Sequence, residues 1–300
     1  MNKNNSNKAM AAAFIANFIF GFSFIFSKMG LSVASPSILL TYRFITALIV
    51  MTLLILAKIV KFNIKQKNIM PLLLIGLFQP VIYFICESYG LIYTTATFSA
   101  VMIALVPIAS LILSAFFLRE IPTVTQIIFS ILSISGVVLM ALQKSSEGSV
   151  QIIGIFILIG AIISAVGFNV TSRKYSSQFS AFERTYFMFL IGGIFFTGMG
   201  LIKNWGHFER FIEPLSSPIF LVSIFYLSII SSIVAFLMMN YSTTYLPVAR
   251  TTAFSNIITV VSVFAGIIFL NEGVDIISMI SSAMIIIGVW GVQKVEIRKQ

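Results

Sequence analysis

MPLLLIGLFQPVIYFICESYGLIY, residues 70–93, is the stretch whose reading decides the fold. It is apolar and long enough to cross a bilayer, whose hydrocarbon takes roughly 20 helical residues. Yet it carries Gln79, Tyr83 and Glu87 at four-residue spacing. That spacing sets an amide, a phenol and a carboxyl on one face of one helix. A carboxylate turned to hydrocarbon is costly, so this face is expected to look inward, at protein or water.

The rest of the chain has the same character. Its 300 residues are 59% hydrophobic and 9% charged, with a mean hydropathy of +1.05. Soluble domains carry about 25% charged residues, so the composition indicates an all-α membrane protein. The net charge is +10, but the Lys and Arg lie mostly between apolar segments, which fits membrane topology and not nucleic acid. One cysteine, Cys86, and one histidine leave no internal disulfide and no structural zinc set. No GxxxxGK[ST], HExxH or GxSxG motif occurs, so no catalytic group, cofactor or ATP-driven step is indicated. The basic, polar start MNKNNSNKAM precedes an apolar run longer than a signal-peptide core, and we read that run as a retained first helix.

Ten apolar segments follow one another: 9–27, 37–57, 70–91, 95–118, 123–142, 152–170, 181–202, 219–241, 248–270 and 276–292. With the N-terminus cytoplasmic, the cytoplasmic connections and ends hold thirteen Lys and Arg, among them Lys58, Lys61, Lys65 and Lys67. The outer connections hold Lys28, Lys144, Lys203 and Arg210. This bias predicts a multi-pass protein of the cell membrane with both termini cytoplasmic.

The chain also repeats itself. A shift of 152 residues lays Leu118-Arg119-Glu120 on Leu270-Asn271-Glu272, Gly136-Val137 on Gly288-Val289, and Tyr89 on Tyr241. A shift of 146 lays Gly21, Phe22 and Lys28 on Gly167, Phe168 and Lys174. Two units are expected, 1–144 and 145–300. Five segments per unit is an odd number, so the second unit starts on the opposite side and the repeats are inverted. Inverted repeats supply two nearly equivalent shapes, open to either side, the logic of alternating access.

Several polar groups fall within the apolar segments. Arg43 lies about 9 Å below the outer end of its helix and Glu87 about 9 Å below its own, at 1.5 Å per residue. Two readings stay open: an internal Arg43–Glu87 ion pair, or a Glu87 that holds a cationic group of a ligand or a coupling proton. Gln79 and Tyr83 extend the Glu87 face toward the midplane; at the 152 shift the three become Ser231, Ala235 and Met239. The framework symmetry therefore does not require the polar stripe. Asn17 and Asn256 fall near mid-helix in segments 1 and 9, and Thr252, Ser255 and Thr259 accompany Asn256. Arg250 reaches the interface or holds an anion. Pro80 and Pro107 are expected to break helical hydrogen bonding, and Gly160, Ala161, Ser164 and Ala165 to allow close helix packing. Phe14, Phe18 and Phe22 lie on the Asn17 side of segment 1 and are assigned to core packing.

Pro107 followed by Phe117-Leu118-Arg119-Glu120, Thr123, Gln126 and Gly136 resembles the EamA domain of the drug/metabolite transporter superfamily. The second copy keeps Leu270-Asn271-Glu272 and Gly288, with Thr259 where the first has Pro107. Gly21-Phe22-Ser23, Lys28, Ser35-Pro36 and Tyr42-Arg43-Phe44 fit the start of the same pattern. The resemblance covers essentially the whole chain as two units. It implies ten helices around a central cavity lined by spans 1, 3, 4, 6, 8 and 9. It also implies transport of amino acids, other metabolites, nucleotide sugars or drugs, often outward. Glu120 and Glu272 match its helix-ending positions and are read as architectural; Glu87 lies outside the shared pattern.

The sequence thus points to a secondary transporter, most simply an exporter of amino-acid-like compounds, with an organic-cation or drug carrier as the alternative. A membrane-embedded enzyme or sensor is the competing class, and no catalytic constellation supports it. Glu87, Tyr83, Gln79, Asn17 and Asn256 are the candidate substrate contacts, with Glu87 and Arg43 the candidate ion pair or coupling groups. The partners implied are a small molecule, the bilayer and a coupling proton.

Overall fold

Backbone amides in hydrocarbon must be satisfied within the protein, which favours helices for a chain this apolar. The computed structural model describes residues 3–60, 62–64, 67–109, 123–146, 148–246, 253–270 and 275–294. Among the described residues all regular structure is helical. The main helices are α1 (Lys3–Leu31), α2 (Pro36–Leu56), α3 (Met70–Ile92), α4 (Ala96–Ala109) and α5 (Val124–Ser146). They continue with α6 (Ile152–Lys174), α7 (Ala181–Lys203), α8 (Pro218–Tyr245), α9 (Asn256–Leu270) and α10 (Ile276–Lys294).

Seven of these, α1 to α3 and α5 to α8, are long and apolar enough to cross a membrane. The other three are shorter in their apolar parts, Ala96–Ala109, Ile257–Gly266 and Ile276–Gly291. The described residues thus contain seven full-length spans where the sequence predicts ten. The shortfall at α4 and α9 adjoins 110–122 and 247–252, outside the described residues. Glu120, Arg250, Thr252 and Glu272 lie there or in 271–274, also outside.

The helix ends follow local chemistry. Pro36 and Pro218 open α2 and α8, where the missing N–H costs nothing. Ser180 caps α7: its Oγ accepts from Glu183 N at 3.1 Å, and Ser180 N donates to Glu183 Oε2 at 2.8 Å. Lys67 Nζ reaches the same carboxylate at 3.0 Å. At the far end of α3, Lys28 Nζ donates to the carbonyls of Leu91 and Thr94, both at 2.6 Å. Arg173 Nη1 does the same for α8, donating to Thr243 O at 2.8 Å and Thr244 O at 2.7 Å. In each half a cation from the end of the first helix satisfies carbonyls that end the third.

The halves meet through matched helix pairs. Gly136 of α5 lies so close to Ser281 and Ile285 of α10 that a Cβ would sit 2.8 Å from Ser281 O. Gly288 of α10 lies equally close to Phe129 and Ser133 of α5, with a Cβ 2.6 Å from Ser133 Cβ. The 152 shift turns one contact into the other, and the pairing order makes the two helices antiparallel. Likewise α2 lies antiparallel to α7, with Thr41 Oγ1 donating to Phe196 O at 2.8 Å at one end and Thr52 within 3.3 Å of Tyr186 Oη at the other. α3 packs on α6, and α1 on α8 and α9. Gly160 admits Cys86 of α3, and Ser262 Oγ of α9 donates to Gly21 O at 2.6 Å.

Arg184 ties three helices together through neutral acceptors. Fully buried, it donates to Ser172 O and Oγ on α6 at 2.9 and 2.6 Å, and to Asn240 O and Thr244 Oγ1 on α8 at 2.7 and 2.5 Å. Phe44 lies at the centre of the core, its ring 5.0 Å from Phe196 and 5.1 Å from Phe84. The assignment of Phe14 and Phe18 to the core is corrected: they are 50% and 44% exposed. On a surface that meets lipid tails such exposure carries no hydrophobic penalty. Phe20 and Phe24, on the other side of α1, face inward instead.

Candidate functional site

α3 is not one straight helix. Gln79 has φ −141° and ψ 111°, extended values inside a π-helical turn, Leu77–Ile82. Proline disfavours the α region for the residue before it, so Pro80 sets this break. Phe78 O finds a donor in Ser164 Oγ of α6, at 2.5 Å. The single polar face expected for α3 is therefore corrected. Tyr83 and Glu87 share a face of the helical stretch Tyr83–Ile92, while Gln79 sits on the break. α8 carries its own π-helical stretch, Tyr226–Ala235, which includes the positions matching Leu77–Ile82 at the 152 shift, although no proline is present. Such turns recur at functional sites.

A cavity lies between the broken helix α3 and the π-helical stretch of α8. α1 supplies Asn17, Phe20, Ser23 and Phe24; α2 supplies Arg43; α3 supplies Gln79, Tyr83, Phe84 and Glu87. Ile103 and Val106 come from α4, Ala165, Phe168 and Asn169 from α6, and Ser231, Phe236 and Met239 from α8. Ser255 and Ile258 close it at the start of α9. Five of the residues singled out in the sequence, Asn17, Arg43, Gln79, Tyr83 and Glu87, thus share one wall system. Asn256 begins α9 beside Ser255; its side chain lies outside the described residues.

The two charges are treated differently. Arg43 is held by the opposite half: Nε donates to Ser232 Oγ at 3.0 Å and Nη2 to Ser231 Oγ at 3.1 Å. Its guanidinium also lies 4.2 Å from the Phe84 ring centre, a favourable cation–π stack. Among the described residues no ion pair joins it to Glu87. Glu87 is 2% exposed, and its Oε2 has no hydrogen-bond partner. The depth match expected between the two residues therefore does not produce a closed ion pair; two of the guanidinium's five N–H donors go to α8 serines instead. Asn17 is partly spent as well, its Nδ2 donating to Ala13 O at 2.7 Å.

Ser231, Met239 and Asn169 also line the wall, though none of them was read from the sequence as a ligand contact. Ser231 occupies the position of Gln79 at the 152 shift, and Met239 that of Glu87, so both halves line the cavity with matching positions. Asn169 stands where the 146 shift lays it on Ser23, directly after the matched Gly-Phe. That alignment was the available signal for it.

A model of the EamA-like transporter family matches residues 7–142 and again 152–293. The chain belongs to the EamA-like transporter family. It is a multi-pass membrane transporter and not an enzyme. Among its relatives, an uncharacterized transporter of Bacillus subtilis, YcxC, is 31% identical over 294 residues, covering 97% of this chain and 94% of the relative. An uncharacterized transporter of Archaeoglobus fulgidus is 26% identical, covering 90% and 93%. YetK of Bacillus subtilis, also an uncharacterized transporter, is 27% identical, covering 83% and 75%. A solved crystal structure shares the fold at 14% identity with a TM-score of 0.67, over 94% of this chain and 95% of the other.

Proposed function

We propose that this member of the EamA-like family is a secondary transporter that exports amino-acid-like compounds by alternating access, without ATP. The Glu87 Oε2, buried without a hydrogen-bond donor in a cavity lined from both halves, carries the reading. A buried carboxyl without a hydrogen bond is costly, and a cargo ammonium or a coupling proton relieves that cost. Tyr83, Gln79, Asn17 and Asn256 orient the ligand around it, and Arg43 biases the local field while fixed to α8.

Two inverted repeats, 1–144 and 145–300, each of five spans, would move about the cavity. The antiparallel, reciprocal α5–α10 contact and the matched π-helical stretches of α3 and α8 support this arrangement, since equivalent helices of inverted repeats run in opposite directions. The Lys and Arg distribution supports cytoplasmic termini. A second reading, transport of organic cations, is favoured by the rings of Phe20, Phe24, Phe84, Phe168 and Phe236 around the cavity.

The test is flux into proteoliposomes of purified protein. Wild type is expected to exchange leucine across the membrane and Glu87→Gln to lose that exchange while remaining folded. Equal flux in the two proteins removes Glu87 from the mechanism.

A further inference from the structure

Glu87 Oε2 is not the sole bare acceptor in the cavity. Asn169 Oδ1 and Ser255 Oγ are also buried without a hydrogen-bond partner. Asn169 is 5% exposed and Ser255 6%, and both line the same cavity as Glu87. They come from three elements: α3, α6 and the turn Ala253–Ser255 that leads into α9. Buried polar atoms are normally paired, so each of these calls for a partner. Three of them around one cavity point to a partner that enters from outside the chain.

We infer that Glu87, Asn169 and Ser255 together bind the ammonium group of the cargo, and that the cargo is a primary amine with an apolar body. The inference rests on the transport reading for the location of the site, and it adds Asn169 and Ser255 as specificity-determining contacts from the second half. A protonated primary amine carries three N–H donors, one for each bare acceptor, and its charge is matched by Glu87. A quaternary ammonium has no donor and would leave Asn169 and Ser255 unpaired, which disfavours it even in an aromatic cavity. Phe20, Phe24, Ile103 and Ile258 offer the apolar body a surface.

The probes are isoamylamine and its N,N,N-trimethyl analogue, titrated calorimetrically into the purified full-length protein in detergent. Wild type is expected to bind isoamylamine at least about tenfold more tightly than the trimethyl analogue. Asn169→Leu and Ser255→Ala are each expected to weaken isoamylamine binding roughly tenfold, the scale of one lost hydrogen bond to a charged group. Asn169→Asp, which keeps the acceptor, restores it. Wild-type binding of the trimethyl analogue as tight as that of isoamylamine overturns the inference, and so does absence of isoamylamine binding. Because that comparison uses wild type alone, a variant that fails to fold does not block the decision. Unchanged binding in both folded variants overturns the inference as well. Tight, Asn169-dependent binding without leucine flux would overturn the proposed export of amino-acid-like compounds and uphold this amine site. Leucine flux that depends on Glu87, with isoamylamine binding indifferent to Asn169 and Ser255, would do the reverse.

Discussion

Glu87 and Arg43 differ in what surrounds them more than in depth. Arg43 is pinned by Ser231, Ser232 and the face of Phe84, whereas Glu87 Oε2 meets no donor. Replacing Glu87 by Gln removes a desolvated charge, so folding should survive while leucine exchange falls at least about tenfold, the effect of losing one charge-assisted contact. A proton gradient should then no longer drive accumulation, which a pH-jump flux assay reads. Arg184 shows the opposite case, a buried cation fully used in architecture. Lys cannot reproduce its fork of donors, so Arg184→Lys should lower stability by about 2 kcal/mol or more, at the usual worth of hydrogen bonds to charged groups. Thermal unfolding in detergent checks this. At this scale the sequence displayed the ionisable groups and their depth, because a carboxyl or guanidinium in an apolar run stands out. It did not display Arg43's partners. Ser231 and Ser232 are ordinary residues of a long apolar segment until α8 brings them across to α2.

The helices were legible as apolar runs, and the Pro80 break followed from proline chemistry. The matching π-helical stretch of α8 was not legible, since no proline or glycine marks Tyr226–Ala235; it packs against α1 and α2. Gly136 and Gly288 were visible as a repeated pair, but their purpose, letting α5 and α10 touch reciprocally, needed the structure. That contact makes a symmetric prediction. Gly136→Ala and Gly288→Ala each place a methyl group under 3 Å from an α10 or α5 atom. Each should therefore destabilise by about 1–3 kcal/mol, as overpacking does, and by similar amounts. Unequal melting shifts, with one substitution neutral, would argue against equivalence of the two helices.

Across the described residues, Arg43 and Glu87 line the cavity, a second buried polar network surrounds Arg184, and many large apolar side chains face outward. Inverted repeats with cytoplasmic termini make a topological prediction. In a Cys86→Ser background, a cysteine replacing Ser177, in the connection between α6 and α7, should react with a membrane-impermeant maleimide only after cells are opened. One replacing Trp205, between α7 and α8, should react on intact cells. The reverse pattern would invert the orientation. The central claim is that the two halves carry cargo through a Glu87-bearing cavity. Its most direct test is radiolabelled leucine counterflow into ATP-free proteoliposomes, with wild type and Glu87→Gln compared at equal protein content. The account predicts transient accumulation with wild type and none with Glu87→Gln; accumulation that is equal in both, or absent from both, would contradict it.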